Sequence, residues 1–319
     1  MLPFLLGGGE TNDKLFQRIP EHDYKGIFEL STTTQSCDVY LVPHEYAYMH
    51  KYQRELNEWI LEAKTAGKPL LISAYQDSTA KIDIGDAFVL RPSSFKSSMS
   101  ARDIIMPAYV EDLGLHKDLL FTKGERPKVG FVGYAGFKSK KRWLKYFIKN
   151  YLLLRGFRRD GIYFRRAALR YLQKNPYIDL RTKIRTQFSG NLTTIELPVA
   201  DVRREYIDTI LNTDFTLSPR GDGNYSLRFF ETLSLGRIPI FIDTDAPLPL
   251  ESRIPYDEFI VRVPWDDLHS VGERVQTFFD SKTTDELQEV SRQARSVFET
   301  YLYMPAFLKQ VLTKETFQL

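Results

Sequence analysis

Two hydrophobic periods alternate along most of the chain. Short apolar runs of strand length recur at Asp38–Val42, Leu70–Ser73, Lys128–Gly133, Phe215–Leu217, Ile238–Ile242 and Phe259–Val263, bounded by Pro, Gly or polar residues. Leu2–Leu6 and Lys25–Leu30 are two further strand candidates. Between them, Tyr46–Ala66, Lys140–Leu154, Ala200–Leu211, Tyr225–Leu235, Asp266–Asp280 and Thr284–Tyr303 carry apolar residues three and four apart, the spacing of one helix face. Gly67 and Gly236 stand where helices should stop, and Pro69 where a strand should open. Alternation of this kind predicts an α/β protein with mostly parallel sheets.

Punctuation suggests how the chain divides. Glu111–Arg126 contains Gly114 and Gly124, has few apolar residues after Phe121, and is followed by Pro127, so it reads as a linker. The expected organisation is one α/β domain over residues 1–124, a second over 125–303, and a terminal helical segment, 304–319, crossing back to the first. A length of 319 residues suits two domains of ordinary size.

The most informative stretch is Phe215–Pro249, which runs strand, glycine-bearing loop, helix. A helix start presents unpaired backbone N–H groups and partial positive charge, so an anion docked there is stabilised twice over. Gly221 and Gly223 let the backbone approach such a ligand, Arg220 and Arg228 offer forked donors to phosphate oxygens, and Ser226 can cap the helix or donate its hydroxyl. Arg228 and Glu231, three apart, share a helix face, which would place a carboxylate for sugar hydroxyls beside a cation for a diphosphate.

The same residues carry a family resemblance. Pro219-Arg220-Gly221, then Ser226-Leu227-Arg228-Phe229-Phe230-Glu231, then Gly236-Arg237-Ile238-Pro239 and Leu248-Pro249 resemble the donor-binding signature of exostosin-like (family 47) glycosyltransferases. In the first half, Asp38–Pro43 and Arg102-Asp103-Ile104-Ile105-Met106-Pro107 resemble that family's early strand and its Arg-Asp-Ile-x-x-Pro segment more loosely. Its His-containing segment between them has no counterpart. The resemblance implies a GT-B type fold of two Rossmann-like domains facing a central cleft, an inverting transfer, and a UDP-sugar donor. Ser218, Arg220, Gly221, Gly223, Ser226, Arg228 and Glu231 form the candidate donor-binding set.

In parallel sheets, ligands bind beyond the C-terminal strand ends. His44 and Glu45, past one strand, and Asp77, past the next, are therefore the candidate bases for deprotonating an acceptor hydroxyl. Asp243-Thr244-Asp245 could hold Mg2+ or Mn2+ against a diphosphate, but an isolated Asp-x-Asp is a weak signal, and the favoured reading uses no metal and no cofactor. No His/Cys cluster has zinc spacing, since Cys37 is the only cysteine.

That lone cysteine forms no intrachain disulfide, and the opening Met-Leu-Pro-Phe-Leu-Leu run is short for a signal peptide, which together favour a cytoplasmic protein, peripheral to a membrane at most. The sequons at Asn191 and Asn224 are expected to be coincidental. Charge modifies the picture once more. The net +3 conceals a strongly basic segment, Lys138–Arg185, in which Asp160 and Asp179 are the only acids. The plain reading is the solvated faces of two helices. The functional reading is an anionic or lipid-linked glycan acceptor at a membrane surface, with no specific nucleic acid expected. A basic-patch nucleic-acid-binding or regulatory protein and a GDP-fucose-type transferase are the competing classes.

Overall fold

The computed structural model describes residues 21–186 and 199–317, apart from 28, 30, 32, 34, 35, 118, 120 and 314. The strand expected at Leu2–Leu6 and the sequon at Asn191 lie outside the described residues, whereas Lys25, Gly26, Ile27 and Glu29 of the strand expected at Lys25–Leu30 are described and form a turn and bend, with no strand before β1 among the described residues.

Two parallel sheets carry the fold. The first has strands β1 (Tyr40–Leu41), β2 (Leu70–Ser73), β3 (Phe88–Arg91) and β4 (Asp103–Ile105) in sequential order. The second has β5 (Lys128–Tyr134), β6 (Asp179–Arg185), β7 (Phe215–Leu217), β8 (Ile238–Asp243) and β9 (Val261–Pro264), in the order β6-β5-β7-β8-β9. The α/β class and its division into two sheet-centred lobes are as expected of the GT-B type.

Helices cover both faces of each sheet. In the first lobe α1 (Tyr46–Met49) and α2 (Gln53–Thr65) occupy the span that periodicity reads as one helix. They break around His50–Tyr52, while Gly67, at φ 63°, ends α2 as expected. Leu56 and Ala63 of α2 pack with Leu70, Ile72 and Val89 on one face. The other face is covered from the far end of the chain: Met304, Phe307, Leu308 and Val311 of the last helix join Leu71, Phe88, Leu90 and Met106 in one core.

The second lobe is built with α3 (Lys140–Phe147), α4 (Gly161–Lys174), α5 (Val199–Leu211), α6 (Leu227–Ser234), α7 (Val271–Asp280), α8 (Thr284–Val297) and then α9 (Met304–Val311) back on the first. Helix α3 runs on as a π-helical turn, Ile148–Leu153. The basic segment is thus two helices and an edge strand, β6, rather than two helices alone. Glu111–Arg126 is no loose tether. Leu113 packs with Ile210 and Leu235, Phe121 is in the main core, Glu111 pairs with Arg203, and Asp112 with Arg295. Among the described residues no helix is long and apolar enough to cross a membrane.

Candidate active site

Strand β7 is buried throughout, and Ser218 at its end donates its backbone N–H to Ile240 O (2.9 Å) and its hydroxyl to Thr216 O (3.1 Å). The chain then leaves the sheet at its C-terminal edge. Gly221 N–H donates to Tyr225 O (2.9 Å) and closes the loop. Beneath it lies Gly161, the first residue of α4, so close that a Cβ there would collide with the carbonyls of Arg220 and Gly221. This is why α4 can begin there with no side chain.

Asn224 fastens the loop. It is fully buried, and its N–H donates to Ser93 Oγ (2.9 Å). Its side-chain Nδ2 donates to Ser94 O (2.8 Å) and Thr244 O (3.2 Å), and its Oδ1 accepts from Thr244 Oγ1 (2.6 Å). Each polar atom of a buried amide needs such partners. Here they come from both lobes, so the loop is sewn across the gap between them. Lys96–Glu251 (2.7 Å) and the edge-to-face contact of Phe95 with Phe157 (5.0 Å) continue the seam. The buried sequon at Asn224 is therefore structural.

Three guanidinium groups gather around the ends of β5 and β7. Arg228 donates to Val132 O (2.7 Å) and Leu217 O (3.4 Å) and lies over the Phe131 ring. Arg165, on α4, donates to Tyr134 O and Arg220 O, each at 3.2 Å. Arg220 reaches Asp222 O (3.0 Å) and Phe157 O (3.5 Å). Their hydrogen bonds go to carbonyls, and the Nε of each is buried without a partner. Burial, and next the nearby Arg228 charge, push the Arg165 guanidinium down to about 10. Burial also lowers Arg220, against the pull of Asp160, Asp222 and Asp77. The direct hydrogen bonds of all three cations end on neutral carbonyls, while Asp77, Asp160 and Asp222 act on Arg220 only through space.

A cleft of about 570 Å³ opens between the lobes beside this cluster. Asp77, Lys81 and Phe95 line it from the first lobe, and Arg158, Arg220 and Asp222 from the second. The Asp77 carbonyl accepts from Ser93 Oγ (3.0 Å), so the same serine holds both Asp77 and the Asn224 loop. Arg91, buried, donates to Ser78 O (3.0 Å), Ala80 O (2.9 Å) and Ser93 O (2.8 Å), shaping this rim, and has Asp103 as its ion partner. That role explains the Arg-Asp-Ile segment around Asp103.

The predicted residues thus separate. Arg220 and Asp77 face one cleft, with Gly221 and Gly223 in the loop between the lobes. Ser226 sits at the start of α6 but its side chain makes no cap. Glu231 is turned inward: its carboxylate accepts from Arg203 Nη1 (2.8 Å) and the Tyr206 hydroxyl (2.6 Å), because a buried carboxylate must find donors inside the lobe. Glu45 accepts from Ser73 Oγ (2.6 Å) and Tyr75 N–H (2.9 Å), and His44 is exposed against Tyr48; neither lines the cleft. Asp243 pairs with Arg262 (3.0 Å), and Asp245 takes the Ser97 hydroxyl and N–H, so both carboxylates of the Asp-x-Asp have partners in the protein. Among the described residues no group of three or more His, Cys, Asp or Glu is placed to hold a metal.

Sequence reasoning missed Arg165, Asn224 and Arg91. Only Asn224 gave a local signal, as the polar residue inside the loop.

A family profile described as Exostosin GT47 domain matches residues 73–278, about two thirds of the chain. The chain belongs to the exostosin GT47 glycosyltransferase family. The match runs from the end of β2 into α7, so it takes in Asp77 and the whole loop from Ser218 to Ser226 and leaves out His44 and Glu45. Of the two looser motifs in the first lobe it takes in Arg102–Pro107 and stops short of Asp38–Pro43. An Exostosin-1 homolog of Caenorhabditis elegans is 32% identical over 100 residues, 31% of this chain and 25% of that protein, so the chain spans about a quarter of the relative's length. The crystal structure of TarM superposes with a TM-score of 0.41 at 8% identity, covering 79% of this chain and 51% of TarM. As a member of the exostosin GT47 family, the chain presents its family motif at the inter-lobe seam, with Arg220 on the cleft.

Proposed function

We propose that the chain transfers a sugar, with inversion and without a metal, from a UDP-sugar to a hydroxyl of a glycan or glycoconjugate. The observation that carries this reading is the cluster of Arg165, Arg220 and Arg228 at the strand ends, whose hydrogen bonds go to carbonyls, beside a cleft whose opposite wall holds Asp77. The diphosphate would sit on the guanidinium groups and the start of α6, whose charge offsets that of the leaving group.

Asp77 is the base in this scheme. The acceptor hydroxyl gives its proton to the Asp77 carboxylate, and its oxygen attacks the anomeric carbon from the face opposite the diphosphate. The bond from that carbon to the diphosphate oxygen breaks, and the electron pair leaves with UDP. The engagement of Asp243 and Asp245 by Arg262 and Ser97 supports metal independence. UDP as the nucleotide rests on the family resemblance.

Asp77→Asn should keep UDP affinity while lowering kcat by about 10²- to 10⁴-fold, measured by calorimetry and by single-turnover transfer from a panel of UDP-sugars. Wild-type turnover in that variant would remove Asp77 from the role. Failure of UDP to bind the wild type, with GDP or dTDP binding instead, would overturn the donor.

A further inference from the structure

The apolar stripe of α3 faces away from the protein. Trp143, Leu144, Phe147, Ile148, Tyr151 and Leu152 recur at helical spacing, followed by Leu153, and all are exposed among the described residues, Leu152 at 62% and Leu153 at 71%. The side that meets the lobe is polar: Asn150 is fully buried, its amide donating to Asp160 and its carbonyl accepting from Asp160 N–H, and Tyr146 packs on Phe137. A surface helix of a globular domain normally does the reverse.

The stripe is ordered as a ladder. Trp143 stacks on Phe147 at 5.6 Å and Phe147 on Tyr151 at 5.0 Å, with interplanar angles of 20° and 19°. Lys140, Lys141, Arg142 and Lys145 are exposed around it and form no ion pair with a described residue, and Arg155 follows at its end. No acid lies between Lys138 and Arg159.

We propose that this face docks on an anionic lipid bilayer, with the aromatic and leucine side chains entering the headgroup boundary and the cations meeting lipid phosphates and carboxylates. Three observations select a bilayer over a protein partner. The apolar residues lie along one convex helix rather than in a groove. Trp and Tyr flank aliphatic side chains, the mixture suited to a boundary between water and hydrocarbon. The surrounding charge is of one sign, which complements an anionic surface and repels a second copy of the same face. The stripe ends at Leu153, shortly before Gly156–Arg158, and Arg158 lines the cleft. A docked bilayer would therefore lie near the cleft's second-lobe rim. The proposal does not depend on the donor or on Asp77.

The test uses the full chain, phosphatidylcholine vesicles with and without phosphatidylserine, and no donor. Co-sedimentation with the mixed vesicles and a blue shift of Trp143 fluorescence, assigned by its loss in Trp143→Phe, are expected. Leu152→Ser/Leu153→Ser should lower partitioning about tenfold or more, and Lys141→Glu/Lys145→Glu on the order of tenfold or more. All four positions are exposed, so UDP affinity and the melting temperature should stay at wild-type values and report a sound fold. Binding to neither vesicle, or binding that survives both double variants, overturns the proposal. So does a dimer in light scattering that the leucine variant dissolves, which would give the face to a second copy. Trp143 already shielded from acrylamide in the free protein would give it to another segment of this chain, and overturns it equally.

Discussion

Arg165 is a cation whose two hydrogen bonds end on carbonyls and on which the repulsion of the Arg228 guanidinium outweighs the pull of Asp222. Removing it should relieve repulsion in the empty protein and cost the ligand a partner. Arg165→Met is therefore expected to change the unfolding free energy by no more than about 1 kcal/mol, in urea titration. Its UDP affinity, by calorimetry, should fall about 10- to 100-fold. Equal losses in both would mean a purely structural arginine. Arg220 was legible in the sequence because loop, glycines and helix start are contiguous. Arg165 was not, since only folding brings α4 under that loop, 55 residues further along the chain. Glu231 shows the opposite limit: its spacing from Arg228 on one helix face was correct, but Arg203 and Tyr206, which claim its carboxylate, come from a different helix.

At the scale of elements, the contact between the start of α4 and the Arg220–Gly221 loop sets the geometry of the candidate site. Gly161→Ala would drive a methyl group into the Arg220 and Gly221 carbonyls. Backbone cannot yield there as a flexible side chain would. We expect about 1–3 kcal/mol of destabilisation in chemical denaturation, with transfer activity reduced further than the fraction unfolded accounts for. Unaltered activity would show that the loop tolerates displacement. Periodicity located β2, β7, β8 and α5 to within a residue or two, because each is a clean run between breakers. It left β3, β4 and β6 unassigned: charged residues interrupt the apolar runs of Asp103–Ile105 and Asp179–Arg185, and Phe88–Arg91 was passed over although it is as long as β2. It found the amphipathic character of α3 but could not say which side meets the core.

The whole molecule is held together by a chain that visits the first lobe twice. Phe307, on α9, is fully buried among Leu71, Phe88 and Met106 of a sheet encoded some 200 residues earlier. Phe307→Ala should cost about 3–5 kcal/mol, and near-ultraviolet circular dichroism should show the first lobe loosening at lower urea than the second. A wild-type unfolding curve would mean that α9 contributes little to that lobe. Overall class and the two-lobe plan could be read from alternating strands and helices. How tightly the lobes are sewn could not, because Ser93, Asn224 and Thr244 are unremarkable polar residues until the lobes meet.

That stitch bears on how the protein can be manufactured. Asn224-Tyr225-Ser226 is an acceptor triplet for N-linked glycosylation, and a nascent chain in a secretory host exposes it before the lobes meet. A sugar tree attached there would act as a wedge between Ser93 and Thr244, leaving a fraction that never shuts. Ser226→Ala, which leaves the asparagine's own contacts in place, is expected to merge the two populations into one on gel filtration.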